Sequence, residues 1–205
     1  MALYFTYGHV HKSEKLTVFP DIMDLRTRQI NINPNMMKTP KILASAYSFI
    51  FKDKRMSPLW LIARLYLGWQ WLQAGYEKAI NPAWIGPDAG AALSGFIKGA
   101  LAKTAGAHPD VSSGYAWFLE NLVLPHAHAW SHVIAYGEVF VGLGLIFGLL
   151  TYLAALFGFF MNMNYLLAGT VSTNPMLLAI ALLIMMAGKI AGYIGLDYFW
   201  KRKNQ

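Results

Sequence analysis

Apolar residues fill the second half of the chain in three runs, Val133–Leu150, Leu153–Val171 and Met176–Ile194, parted only by Thr151-Tyr152 and by Ser172-Thr173-Asn174-Pro175. Each approaches the ~20 apolar residues that a helix rising ~1.5 Å per residue needs to cross a hydrocarbon layer of ~30 Å. Backbone groups in lipid must bond within their own segment, so the runs predict helices. No polar face recurs along them at helical spacing, which argues against the amphipathic helices of a soluble core. An earlier span is predicted from Pro58, tolerated in a first helical turn, to about Ile80, where Asn81-Pro82 stops it. Along it Arg64, Gly68, Trp71, Gly75 and Lys78 recur at intervals of four, three, four and three residues, on one face. The glycines admit a close neighbour, and the two cations must face inward or snorkel to an interface.

Between the first and second spans, residues 81–129 are too interrupted to cross a membrane. Ala91–Lys103 and Tyr115–Leu124 read as short amphipathic helices that cap one end of the assembly. The expected fold is therefore all-α, an integral membrane four-helix bundle with an extracytoplasmic loop of short amphipathic helices between spans 1 and 2. Residues 1–55 read as a cytoplasmic N-terminal tail, disordered or interfacial, in which Ile42–Phe51 forms an amphipathic segment suited to a membrane surface. Residues 56–200 form the four-span domain and 201–205 a basic cytoplasmic tail. Met36, Met37 and Met56 offer alternative translation starts, and the charged residues His9, His11, Lys12, Glu14 and Asp21 leave no room for a cleavable signal peptide core.

Charge and composition sharpen this picture. Only 13% of the 205 residues are charged and 56% are hydrophobic, against about 25% charged in an average globular domain. The net charge of +7 resembles a nucleic-acid signal. The basic residues, however, gather at Lys52, Lys54 and Arg55 before the first span and at Lys201, Arg202 and Lys203 after the last. That distribution marks the cytoplasmic side, with both termini on it, and argues against a nucleic-acid partner. Cysteine is absent, which excludes disulfides, thiolate nucleophiles and iron–sulfur ligation by this chain.

Ionisable groups within spans are costly and point to function. Arg64, Glu138 and Lys189 are the candidates, with Glu77, Lys78 and His132 nearer the outer boundary and the amides Asn162 and Asn164 at the depth of Glu138. Glu138 is either a proton acceptor for a substrate entering from outside or a structural partner of Lys78 or of the amides. Arg64 and Lys189 either meet a bound anion or snorkel, Lys189 reading as the more interior of the two. Asn162 and Asn164, two residues apart, cannot share a face, so one bonds across an interface while the other serves a cavity. His126, His128 and His132 tempt a metal reading, but they lie at the outer surface without an HExxH pattern, and no metal is expected.

Arg64, Gly68, Trp71, Gly75 and Lys78, followed by Asn81-Pro82-Ala83-Trp84, Pro125-His126, Ala135-Tyr136-Gly137-Glu138, Asn162, Asn164, Gly169, Asn174-Pro175 and Ala187-Gly188-Lys189, resemble the DoxX/DoxD family of four-helix membrane proteins. The resemblance covers roughly residues 58–200. It implies a membrane subunit of a redox system of the thiosulfate:quinone oxidoreductase type, which passes electrons from thiosulfate to a membrane quinone. In that reading Glu138 and Lys189 are the catalytic candidates, and Arg64, Trp71, Lys78, Asn162 and Asn164 bind the substrate or the quinone. The chain carries no flavin, haem or iron–sulfur fingerprint, so no covalently bound cofactor is expected. The quinone or a partner oxidoreductase subunit must then carry the electrons. A small-solute channel or carrier, or a membrane anchor for a soluble oxidoreductase, would use the same polar layer. The lipid bilayer is the expected surrounding, and the reading admits an oligomer.

Overall fold

A computed structural model describes residues 41–203, with side chains from Lys41 to Phe199. Among the described residues the chain is all-helical. The expectation for residues 1–40 lies outside them.

Helix α1 (Lys41–Lys52) leads through the single turn Lys54–Met56 into α2 (Ser57–Ala79). Pro58 opens α2 as its spacing predicts, and the face bearing Ser57, Trp60, Arg64, Leu67, Gly68, Trp71 and Gly75 is buried. Asn81 caps the short α3 (Pro82–Ile85) by accepting the Ala83 N–H at 2.9 Å. Two further short helices, α4 (Ala91–Leu101) and α5 (Ser113–Phe118), fall where the amphipathic pattern puts them. A π-turn over Leu119–Val123 and a 3-10 turn over Leu124–His126 connect α5 to α6 (Ala127–Phe147), followed by α7 (Thr151–Leu167), α8 (Asn174–Ala187) and α9 (Leu196–Lys203).

The four longest elements after α1 close a ring: α2 packs on α6, α6 on α7, α7 on α8 and α8 on α2. Glycines bring α2 and α6 together. A Cβ added at Gly142 would stand 2.6 Å from the backbone nitrogen of Leu72, and one at Gly75 would stand 2.5 Å from that of Val139. Leu67, Trp71, Leu145, Ala155, Ala181 and Ile184 fill the interior of the ring. A second apolar cluster of Leu93, Ile97, Val111, Leu119, Val123, Ala127 and Ala168 seats α4 and α5 over the start of α6 and the end of α7.

The helix boundaries differ from the apolar runs, and α7 stops at Leu167, four residues before the run to Val171 ends. Helix α6 begins six residues before Val133 and stops at Phe147, because Gly148 adopts φ +64° and Leu150 φ +49°. Asp197 supports that unusual turn and starts α7, its carboxylate accepting the Leu150 and Thr151 N–H groups at 2.8 and 2.9 Å. Helix α8 ends at Ala187, where Gly188 takes φ +50°, so the run to Ile194 is not one helix. Residues 188–195 instead fold back in turns beneath Arg64.

The continuous helical stretch Ser113–Phe147 is long and apolar enough to cross a membrane, and Asn174–Ala187 is a shorter apolar helix. Large apolar side chains also cover the outside of the ring: Phe140 is 70% exposed, Ile62 66% and Phe160 63%. Water does not favour such a surface, whereas acyl chains do.

Candidate functional site

Glu138 is the buried acid of the ring, 1% exposed. It lies on the buried stripe of α6 with Ser131, Ala135, Val141, Gly142 and Leu145. Gly75 on α2 lets α6 come close enough for its carboxylate to reach across, a Cβ there lying 2.9 Å from that of Glu138. Lys78 Nζ donates to Glu138 Oε2 at 2.8 Å and the Tyr165 hydroxyl donates to Oε1 at 2.5 Å. Three helices thus converge on one carboxylate. Lys78 also faces the Trp84 ring at 5.3 Å, and Phe96 of α4 meets Tyr165 edge-on at 6.0 Å, so the short helices roof this cluster. A charged pair held out of water needs its remaining lone pairs satisfied, and the Tyr165 hydroxyl does this for Glu138.

About one turn from Tyr165 along α7, and about two turns from Lys78 along α2, lie polar groups of a different kind. Asn162 is fully buried, and neither its amide nitrogen nor its oxygen has a partner within the protein; the same holds for the nitrogen of the buried Trp71 indole. Asn162 and Gly158 share the inward face of α7. A Cβ at Gly158 would stand 2.9 Å from Trp71 Nε1, so only glycine lets the indole N–H reach α7 there. Buried polar groups without partners are rare, since each costs about 1–3 kcal/mol. Trp71 and Asn162 lie on facing helices, and Asn162 is three residues from Tyr165 of the Glu138 cluster; Thr151 Oγ1 and Arg64 Nε are the other buried side-chain atoms without a partner among the described residues.

The remaining candidates divide. Asn164 bonds across to the roof, accepting from the Tyr115 hydroxyl at 3.1 Å while its own nitrogen donates to the Phe160 carbonyl at 2.8 Å. Asn164 is thus the amide that bonds across an interface. Arg64 does not snorkel: it is 1% exposed and donates to the Ala191 and Ile194 carbonyls at 3.0 and 2.6 Å, while its buried Nε has no partner among the described residues. Its guanidinium fills the space that side chains at Gly148 and Gly195 would need. Lys189 is not interior; it lies exposed in the turns after α8, and the structure does not bring it to Glu138. Glu77 is exposed beside Gln73. Among the described residues no group of three or more His, Asp or Glu side chains is placed to hold a metal ion. His128 and His132 stack instead, with ring centroids 4.8 Å apart.

Reasoning from the sequence missed Tyr165. Its signal was present: it lies three residues after Asn162 and hence on the same side of α7.

Residues 59–205 match the model of a family described as DoxD, TQO small subunit. No curated protein and no solved structure matches the chain in the same comparisons.

Proposed function

The chain belongs to the DoxD family, and from that premise we propose that it is the quinone-interacting membrane subunit of a thiosulfate:quinone oxidoreductase-type complex. Family membership and the apolar helix of residues 113–147 point to a membrane protein. In this reading α2, α6, α7 and α8 are four spans, both termini face the cytoplasm, and α4 and α5 lie at the outer surface. The exposed Phe140, Ile62 and Phe160 favour lipid around the ring.

The observation that carries the reading is the pair of unpartnered buried groups at Asn162 and Trp71. A quinone carbonyl oxygen would accept from the Asn162 amide and the Trp71 N–H, satisfying donors that nothing else satisfies. Reduction to the quinol takes up two electrons and two protons. Tyr165 would hand over its hydroxyl proton, and Glu138, held as a carboxylate by Lys78, would take up protons from the outer side one at a time and return them through Tyr165, two per quinone reduced. The electrons come from thiosulfate through a partner subunit, as the word "small" in the family description suggests. Arg64 and Asn164 support the ring at its two ends in this reading, and Lys189 takes no part in the chemistry.

The test uses the full chain in nanodiscs and a short-chain quinone, with binding read from tryptophan fluorescence quenching. Asn162→Leu is expected to lose binding while its unfolding temperature stays the same or rises, since an unpartnered amide is removed. Undiminished quinone binding by Asn162→Leu would overturn the assignment, and transport of a solute without quinone binding would favour a carrier.

A further inference from the structure

Helix α1 buries none of its residues. Its contact with the ring is made by Ile50 and Phe51: the Ile50 carbonyl accepts the Trp60 indole N–H at 2.9 Å, and Phe51 packs on the Trp60 ring at 5.3 Å. Around that contact Ile42, Leu43, Tyr47 and Phe49 stay exposed, Ile42 by 82%. Ser45, Ser48 and Lys52, spaced three and four apart, line the opposite, narrow polar side. A 12-residue helix with a broad apolar surface, tethered at its C-terminal end, has the pattern of a segment that lies in a membrane interface.

Charge identifies the kind of surface. Lys52 Nζ sits over the Tyr47 ring at 5.6 Å, Lys54 Nζ over the Tyr193 ring at 5.3 Å, and the Arg55 guanidinium over Phe49 at 5.9 Å. Each charged head lies over an aromatic ring, so cations and aromatic rings are interleaved at this end of the chain, the combination that suits a membrane interface. Asp53 is the one acid in the segment 41–56. Its carboxylate is bound by Arg55 at 2.9 Å, and that hydrogen bond holds its pKa below the usual carboxylate value. Lys52 and Lys54 are left without a carboxylate within this segment. At the same end, Tyr198 and Phe199 of α9 continue the exposed aromatic rim past Tyr193.

We infer that α1 and the neighbouring 188–199 segment form a docking surface for anionic phospholipid headgroups, with α1 lying in the plane of the leaflet. The inference rests on the four-span reading, because only a ring embedded in lipid brings α1 to the headgroup layer. Its occupant is the lipid surface, in keeping with the juxtaposed lysines and aromatic rings.

The absence of cysteine makes the test clean. Leu43→Cys and Ser45→Cys variants of the full chain carry a nitroxide label. Each is placed in nanodiscs of phosphatidylcholine alone or of phosphatidylcholine and phosphatidylglycerol in equal parts. In the anionic discs the label at Leu43 is expected to gain several-fold in accessibility to oxygen relative to a water-soluble nickel complex, while the label at Ser45 stays water-accessible. Adding Lys52→Gln and Lys54→Gln should erase the difference between lipids. Equal water accessibility of both labels in both kinds of disc would overturn the inference, as would protection of Leu43 only when another protein is added. Failure of the chain to enter discs at all would refute the four-span reading and take this inference with it.

Discussion

The bond between Lys78 and Glu138 makes a prediction whose sign is less obvious than its existence. Removing the cation by Lys78→Met leaves a carboxylate that is 1% exposed beside an apolar side chain. Breaking a buried pair from one side costs about 3–5 kcal/mol. The Tyr165 hydroxyl still donates to Glu138, which places the cost at the lower end, about 3 kcal/mol. Glu138→Gln should cost less, about 1 kcal/mol, because the ammonium it leaves behind is the more exposed member of the pair and a neutral amide oxygen can still accept from it. Lys78 is 20% exposed and retains the Ala74 carbonyl. In the double variant the stranded charge is gone, so the total is expected near about 1 kcal/mol, below the additive sum by about 3 kcal/mol. Thermal unfolding of the four proteins in one detergent, followed by intrinsic tryptophan fluorescence, reads this directly. Lys78→Met should unfold about 6–12 °C lower than the parent, and the double variant should recover most of that loss. Additive losses would show that the two side chains do not share an interaction, and the electrostatic account of the site would fall.

Other positions give sharper contrasts with less arithmetic. Gly75→Ala should lower the unfolding temperature by the equivalent of about 1–3 kcal/mol, because the new methyl meets the backbone of Val139. Gly95→Ala, on α4 with nothing within 4 Å, should leave it unchanged or raise it. Arg64→Met removes two charge-assisted hydrogen bonds to the 188–195 turns and should increase proteolysis after residue 187 more than anywhere else, as mass spectrometry of limited digests would reveal. Uniform protection of that segment in the variant would show that the guanidinium does not hold it.

The chain announces its helices because hydropathy and proline placement act locally. Pro58, Asn81-Pro82 and Asn174-Pro175 mark element ends that the structure keeps. The inward face of α2 was equally legible, since Arg64, Gly68, Trp71 and Gly75 keep strict helical spacing and all are buried. What hydropathy misses is a backbone reversal. The run Met176–Ile194 reads as continuous, yet a left-handed φ at Gly188 ends α8 at Ala187, and a glycine within an apolar run carries no sign of its φ. Lys189 was read as interior for the same reason: its depth was counted along a helix that stops before it. Arg64 presents the opposite case. Its position was clear from the sequence, but its acceptors are main-chain carbonyls, which belong to no residue type and cannot be found by searching for a matching acid.

Helix α2 shows how the polar groups of the ring are distributed. Arg64 and Lys78 sit on one face, separated by roughly 20 Å at the helical rise, and each buried cation is answered by a different kind of acceptor. Carbonyls of the 188–195 turns take the Arg64 guanidinium, and the Glu138 carboxylate takes the Lys78 ammonium. Midway between them the same face presents Trp71, and α7 presents Asn162, both with polar atoms that the protein leaves unmet. Thr151 Oγ1 and Arg64 Nε are likewise buried without a partner, so unmet polar atoms occur at the Arg64 end of the ring as well as at Trp71 and Asn162. Tyr165 follows Asn162 by three residues on α7 and carries the same side of that helix on to the Glu138 carboxylate. In the quinone-binding reading that we propose, a carbonyl oxygen would supply the acceptor that the Trp71 and Asn162 N–H donors lack.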